Sequence, residues 1–190
     1  MDSKTRAQLL DAAERLMLDQ GYAAVTSRRV AAEAGLKPQL VHYYFRTMDD
    51  LFVAMFRRRA EIGLERQAEA LASDQPLRAL WDFSSEPGGA AFAMELSALA
   101  NHRKSIRSEI ARYAEQFRVS QLGVVTRVMR DYGIDADEIP PAAVLVLITS
   151  LSRLMVMEEK LGMSTGHAEA QALVERVLTR FEGEPRPPAS

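Results

Sequence analysis

Apolar residues in this chain recur at spacings of three and four, the period of an α-helix seated on a core, and no run shows the strict alternation of a strand. Leu9, Ala13, Leu16 and Met17 form the first stripe, with Ser3 or Thr5 as its cap and Gly21 as its end. Tyr22 and Val25 can pack beneath it. Thr26 caps a second, short run with Val30, Ala31 and Ala34 on one face, and Gly35 supplies the permissive backbone for a tight exit. Lys37-Pro38 then starts a third helix, Pro38 to Tyr44, because proline is tolerated in a first turn. Thr47-x-x-Asp50 reads as a capping box with aspartate in place of glutamate. It opens a fourth helix to about Ala72, lined by Leu51, Phe52, Met55, Phe56 and Ala60.

The rest of the chain keeps the same period. Gln75-Pro76 begins a short helix with Leu77, Leu80, Trp81 and Phe83, and the composition of Ser84 to Gly89 predicts a loop. Ala90 to His102 forms the next helix, and a long one follows from about Ser105 to Tyr132. The stripe of that long helix is Ile106, Ile110, Tyr113, Phe117, Val124, Val128 and Tyr132, with a polar step at Ser120 and Gln121. Either those two side chains bond their own helix and water, or they anchor a ligand. Ala142 to Met157 is the most apolar segment, interrupted by Thr149, Ser150, Ser152 and Arg153, and it is too short and interrupted for a membrane span. A helix apolar nearly all round needs cover on several sides, and a second subunit is one such cover. His167 to Phe181 is the last helix, and the proline-rich 184–190 is expected to be disordered. The fold class is therefore all-α.

Composition narrows the class further. The chain has 190 residues, 47% hydrophobic and 26% charged, with a net charge of −2 and no cysteine. Disulfides and thiolate metal sites are excluded, and a reducing cytoplasm is the expected location, with no secretory leader at Met1 to Arg6. The first sixty residues hold ten Lys/Arg against seven Asp/Glu, a net +3, which leaves −5 for the remainder. A mildly basic head on an acidic body suits a protein that touches DNA with one end.

The chemistry is concentrated in 26–51. Two short helices joined by a glycine-containing turn make a helix-turn-helix. The second carries Gln39, His42, Tyr43 and Tyr44, ringed by Arg28, Arg29, Lys37 and Arg46. Glutamine pairs with adenine edges and tyrosine hydroxyls bond phosphates. An aromatic packing cluster is the competing reading of His42 to Phe45. Arg57, Arg58 and Arg59 are a solvated face or further phosphate contacts.

Ala34-Gly35-Leu36, Val41-His42-Tyr43-Tyr44-Phe45, the Thr26 to Ala31 run and Asp49-Asp50-Leu51 follow one another in the order seen in the TetR family of transcriptional regulators, which this chain resembles from about Lys4 to Leu51. Three positions depart from the family pattern: a histidine and a tyrosine are exchanged at His42 and Tyr44, and Met48 stands where a phosphate-contacting lysine is common. The resemblance implies a helix-turn-helix domain over 3–47, reaching into the fourth helix to about 63, and a ligand-binding and dimerisation bundle over 48–183. It implies double-stranded operator DNA as partner, contacted by Thr26, Arg28, Arg29, Lys37, Gln39, His42, Tyr43, Tyr44 and Thr47. It implies a homodimer through the last two helices, with Val144, Leu147, Leu151, Leu154, Leu173, Val177 and Phe181 as interface candidates.

Repression relieved by a small, mostly apolar or aromatic effector also follows from the resemblance. Candidate lining residues are Trp81, Phe92, Glu95, Leu99, Tyr113, Phe117, Ser120, Gln121 and Met155; together with Phe83, Met94 and Met129 they suit plain core equally well. A regulator without an effector, controlled by a protein partner or by abundance, fits the same residues. The histidines at 42, 102 and 167 lack metal-site spacing, and His102 near a helix end complements the dipole or faces a ligand. No metal, cofactor, membrane partner or enzymatic activity is expected, since no nucleophile-elbow, P-loop or dinucleotide motif occurs.

Overall fold

The computed structural model describes residues 2–186, apart from the side chains of Asp2, Ser3 and Ser105. These residues form nine α-helices and no strand: α1 Asp2–Gln20, α2 Ser27–Glu33, α3 Pro38–Tyr44, α4 Met48–Leu71, α5 Pro76–Ser85, α6 Pro87–His102, α7 Lys104–Asp131, α8 Pro141–Lys160 and α9 His167–Glu182. A 3-10 turn, Tyr22–Ala24, links α1 to α2. Helix α1 starts at Asp2, so Thr5 lies inside it, and the alternative cap Ser3 falls outside the described side chains.

The chain divides into two compact units. The first runs to Gly63 and takes in Ala91–Glu115; the second comprises Leu64–Ala90 and the chain from Gln116 onward. In the first unit, Leu9, Ala13 and Met17 of α1, Val30 and Ala31 of α2 and Val41 of α3 are all fully buried or nearly so, and α2 packs on both α1 and α3. Thr26 caps α2 through its Oγ1, which accepts the Arg29 N–H. At the capping box of α4 the Asp50 N–H donates to Thr47 Oγ1 at 3.1 Å, while the Thr47 N–H and hydroxyl both donate to Asp50 Oδ2 at 2.9 Å.

Each arginine of the α4 run has an acidic partner within its own unit. Arg57 bonds Glu109 at 2.6 Å, Arg58 reaches Asp11 at 2.7 Å and Glu14 at 3.3 Å, and Arg59 bonds Glu14 at 2.5 Å with its guanidinium 5.2 Å from the Phe92 ring centre. Such partly exposed pairs are worth about 0–1 kcal/mol each, so they fix alignment more than they stabilise. Glu109, which accepts from Arg112 and Arg57, is held down from an ordinary carboxylate's 4.5 to about 2. A depressed folded pKa gives stability that is fully present above 4.5 and lost as pH falls toward 2. A Glu109→Gln variant is therefore expected to show a flatter loss of melting temperature over that acid window; an unchanged acid limb would count against the pairing.

Between α5 and α6 the expected loop shrinks to a single residue. Glu86 Oε1 accepts the Gly88 N–H at 3.0 Å and its Oε2 accepts the Gly89 N–H at 2.7 Å. A carboxylate at a helix start and Pro87 in the first turn outweigh the local entropy cost of two glycines.

The second unit's core is Leu71, Leu77, Leu80, Val125, Met129, Leu145 and Leu178. Trp81, Val128, Val144 and Val174 pack around it. Helix α8 is three residues longer at its C-terminus than its apolar run, and by length and composition alone its 20 residues could cross a membrane, which corrects the reading that it is too short. Its Leu145, Thr149, Ser152 and Val156 face the unit's interior. Glu184 to Arg186, expected to be disordered, are tied down: Gln75 Nε2 donates to Glu182 O and Glu184 O at 2.9 Å, and the Arg186 N–H donates back to Gln75 Oε1. Residues 187–190 lie outside the described residues.

Candidate nucleic-acid interface

Helix α2 ends in a Schellman closure, with Leu36 N–H on Ala31 O at 2.8 Å, Gly35 N–H on Ala32 O at 3.1 Å, and Gly35 at φ +67°. Only a residue tolerant of the left-handed region turns the chain here without strain. Lys37 follows in extended conformation and Pro38 occupies the first turn of α3. Val41 and Phe45, 1% and 3% exposed, pin α3 to the head.

That anchoring decides what α3 shows to solvent. Gln39, His42 and Tyr43, at i, i+3 and i+4, lie on one face and are all exposed, Tyr43 by 73%. Packing therefore does not explain them. Tyr44 is half-buried, and the Tyr43 ring meets it edge to face at 5.0 Å. Arg28, Arg29, Lys37 and Arg46 are exposed around the helix, Arg29 bonding Gln20 Oε1. Thr26 accepts the Arg29 N–H and keeps its hydroxyl proton for another acceptor. Thr47 is engaged locally, its hydroxyl donating to Asp50 Oδ2 at 2.9 Å.

The residues expected to line an effector site do not gather in one unit. Phe92, Glu95, Leu99 and Tyr113 belong to the first unit; Trp81, Phe117, Ser120, Gln121 and Met155 belong to the second. Glu95 is already engaged, with its Oε2 accepting the Tyr22 N–H at 2.8 Å, and Tyr113 packs edge to face on Phe56 at 5.2 Å. Ser120 is exposed, because the α7 stripe passes through Phe117, Gln121, Val125 and Met129 instead. A cleft of about 650 Å³ in the first unit is bordered by Arg6, Tyr44, Asp49, Val53, Arg57 and Glu61, and by none of the expected lining residues. In the second unit, Gln67 is fully buried, donates to Phe117 O at 3.5 Å, and has no partner for its Oε1; Gln121 is 6% exposed. Gln67 escaped notice in the sequence because a lone glutamine on a charged helix carries no burial signal.

The dimer candidates also sort. Leu147, Leu154, Leu173 and Val177 are 44–68% exposed, and Val146, not anticipated, joins them at 45%. Leu151 is half-buried, Val144 packs on its own core, and Phe181 stacks on Tyr132 at 6.2 Å.

Residues 9–55 match the family described as bacterial regulatory proteins, tetR family, which covers α2, α3 and most of α1 and the turn into α4. Over this N-terminal segment the chain is similar to the TetR family. The HTH-type transcriptional regulator BetI of Rhizobium meliloti (strain 1021) is 42% identical over 57 residues, 30% of this chain and 28% of that protein. BetI of Brucella canis is 35% identical over 77 residues, 40% of this chain and 39% of its own length, so the chain spans well under half the length of these relatives. Among solved structures, a TetR transcription regulator from Haloarcula marismortui superposes with a TM-score of 0.71 at 19% identity, covering 95% of this chain and 97% of that one. A transcriptional regulator from Saccharomonospora viridis in complex with choline gives 0.72 at 22% identity, covering 94% and 95%. FadR from Bacillus subtilis in complex with stearoyl-CoA gives 0.66 at 18% identity, covering 94% and 99%. At these identities the likeness establishes the TetR fold along the chain.

Proposed function

We propose that this chain is a TetR-type, homodimeric, sequence-specific DNA-binding regulator that represses transcription from a palindromic operator and is released by a small, mostly apolar effector. The observation that carries the reading is the outward face of α3, where Gln39, His42 and Tyr43 stand free of the core. Gln39 and His42 read base edges in the major groove, and Thr26, Arg28, Arg29, Lys37, Tyr43 and Tyr44 bond phosphates to set register.

The dimer reading is supported by the apolar face of α8 and α9, built from Val146, Leu147, Leu154, Leu173 and Val177. Exposed apolar patches of that kind mark association sites, and a two-fold pairing covers the patch with itself. Two DNA-reading heads then match two half-sites.

The effector reading draws support from the related folds that hold choline and stearoyl-CoA, and from the buried amides of Gln67 and Gln121 beside Phe117. Such an effector acts only through different affinities for the DNA-competent and DNA-released states. Effector-free control by a protein partner is the alternative, and thermal titration with choline and with an acyl-CoA separates the two, since a ligand of the native state raises the melting temperature with concentration.

Selection of bound fragments from genomic DNA at stated salt tests the function itself. The expected result is recovery of one inverted-repeat motif. Recovery of fragments without a shared motif would remove the regulator reading.

A further inference from the structure

The backbone between α1 and α2 is held by a helix from much later in the chain. Helix α1 ends at Gln20, and Gly21 closes it with its N–H on Met17 O at 3.0 Å. The next donor, Tyr22 N–H, points to Glu95 Oε2 of α6 at 2.8 Å, 73 residues away. A Cβ on Gly21, whose φ is +80°, would stand 3.5 Å from the same carboxylate oxygen. One and two turns further along α6, Leu99 is fully buried and the His102 ring stacks on the Tyr22 ring at 6.0 Å with the planes 27° apart. Positions 95, 99 and 102 share one helix face, so α6 turns a carboxylate, an apolar side chain and a ring toward this part of the molecule.

The grip matters because the DNA-reading helices hang from this turn. Val25 N–H bonds Tyr22 O at 3.1 Å, Thr26 N–H bonds Ala24 O at 3.0 Å, and Thr26 caps α2. The place of Tyr22 therefore sets where α2 begins, and α2 and the Gly35 turn set α3. The three N-terminal helices have their own apolar seam, so the bond to Glu95 is not needed to fold them; it fixes where they stand.

We propose that Glu95 is a positioning residue for DNA recognition, fastening the turn ahead of α2 to α6 so that the recognition helix is presented in one orientation. The inference rests on the proposed two-headed operator-binding dimer. In that dimer, heads fastened to α6 accept one separation between half-sites, whereas heads loosened at Tyr22 accept several. Glu95, read from sequence as a ligand contact, takes this role because a charged acceptor is the stronger partner for a backbone N–H left over at a helix end.

The test uses the full-length dimer and the selected operator, together with operators whose half-sites are moved apart or together by one and two base pairs. The wild type is expected to prefer one separation. Glu95→Ala is expected to lose about tenfold of that preference while gaining relative affinity for the altered separations, with its melting temperature near the wild type's. Glu95→Gln, whose amide oxygen still accepts the Tyr22 N–H, is expected to recover part of the preference. A Glu95→Ala protein that keeps the wild-type preference, or that loses affinity equally for every separation as its melting temperature falls, would overturn the positioning role. A wild type indifferent to separation would instead overturn the two-headed reading on which the role depends.

Discussion

Alanine at both Gln39 and Tyr43 is expected to weaken binding of the proposed dimer to the selected operator by roughly a thousandfold or more at constant salt, since each change falls on both heads, with the melting temperature almost unmoved. Both side chains are exposed, so their removal opens no cavity in the head. The edge contact between Tyr43 and Tyr44 lies at the surface, and such a contact is worth about 1 kcal/mol or less. A lost base-edge contact costs about 1–3 kcal/mol, and a lost phosphate hydrogen bond adds about 1 kcal/mol. Their consequences differ: the Gln39 change relaxes discrimination at one base position, while the Tyr43 change weakens all sequences alike. Competition binding of the double variant against wild type, with calorimetry as control, measures both quantities. Unchanged operator affinity would show that α3 is not the reading helix.

The second large effect lies in the second unit. Glu182, 7% exposed at the end of α9, is the cap of α5: Oε1 accepts the Leu77 N–H at 2.8 Å and the Tyr132 hydroxyl at 2.9 Å, and Oε2 accepts the Arg78 N–H at 2.9 Å. Pro76 has no N–H to satisfy, so one carboxylate serves the donors of the α5 first turn and complements its dipole. Glu182→Ala strands three donors, at a cost of about 1–3 kcal/mol each before relaxation. A loss of about 3–6 kcal/mol lowers the melting temperature by roughly 10 °C or more in a chain of this size. Glu182→Gln keeps one acceptor oxygen and should lose about half as much. Tyr132 supplies a second readout: burial, and then its bond to Glu182, push its phenol up from 10.0 to about 12. A raised folded pKa gives stability that is present below 10 and fades as pH climbs toward 12, and Glu182→Ala should lessen that alkaline loss. Denaturant unfolding that places Glu182→Ala within about 1 kcal/mol of wild type would rule out the cap as a major anchor.

The elements that could be read from the chain were those whose cause is local. The capping box at Thr47, proline at the start of α3 and the spacing of Leu9, Ala13 and Met17 act within one or two turns, and each element stands where that local chemistry puts it. The outward face of α3 was legible for the same reason, since Val41 and Phe45 leave Gln39, His42 and Tyr43 no inward direction. What escaped was decided by partners distant in sequence. Arg58 finds Glu14 across 44 positions, Gln75 finds Glu184 across 109, and neither run of sequence announces the other. Gly88 and Gly89 misled in a different way, because their propensity for a loop was overridden by a carboxylate two and three residues upstream. At α7 the difference was one position: Gln121 continues the buried stripe that an apolar-only count moves to Val124.

The internal pairing of Arg57, Arg58 and Arg59 reaches into the thermodynamics of DNA association. Guanidiniums that already neutralise Glu109, Asp11 and Glu14 displace no condensed cations from a duplex. In the proposed dimer the ions released come from the exposed Arg28, Arg29 and Lys37 of each head, six positive charges, which corresponds to a log–log dependence of affinity on ionic strength of about −5. Were the α4 run also on the backbone, six further charges would steepen that exponent to about −11.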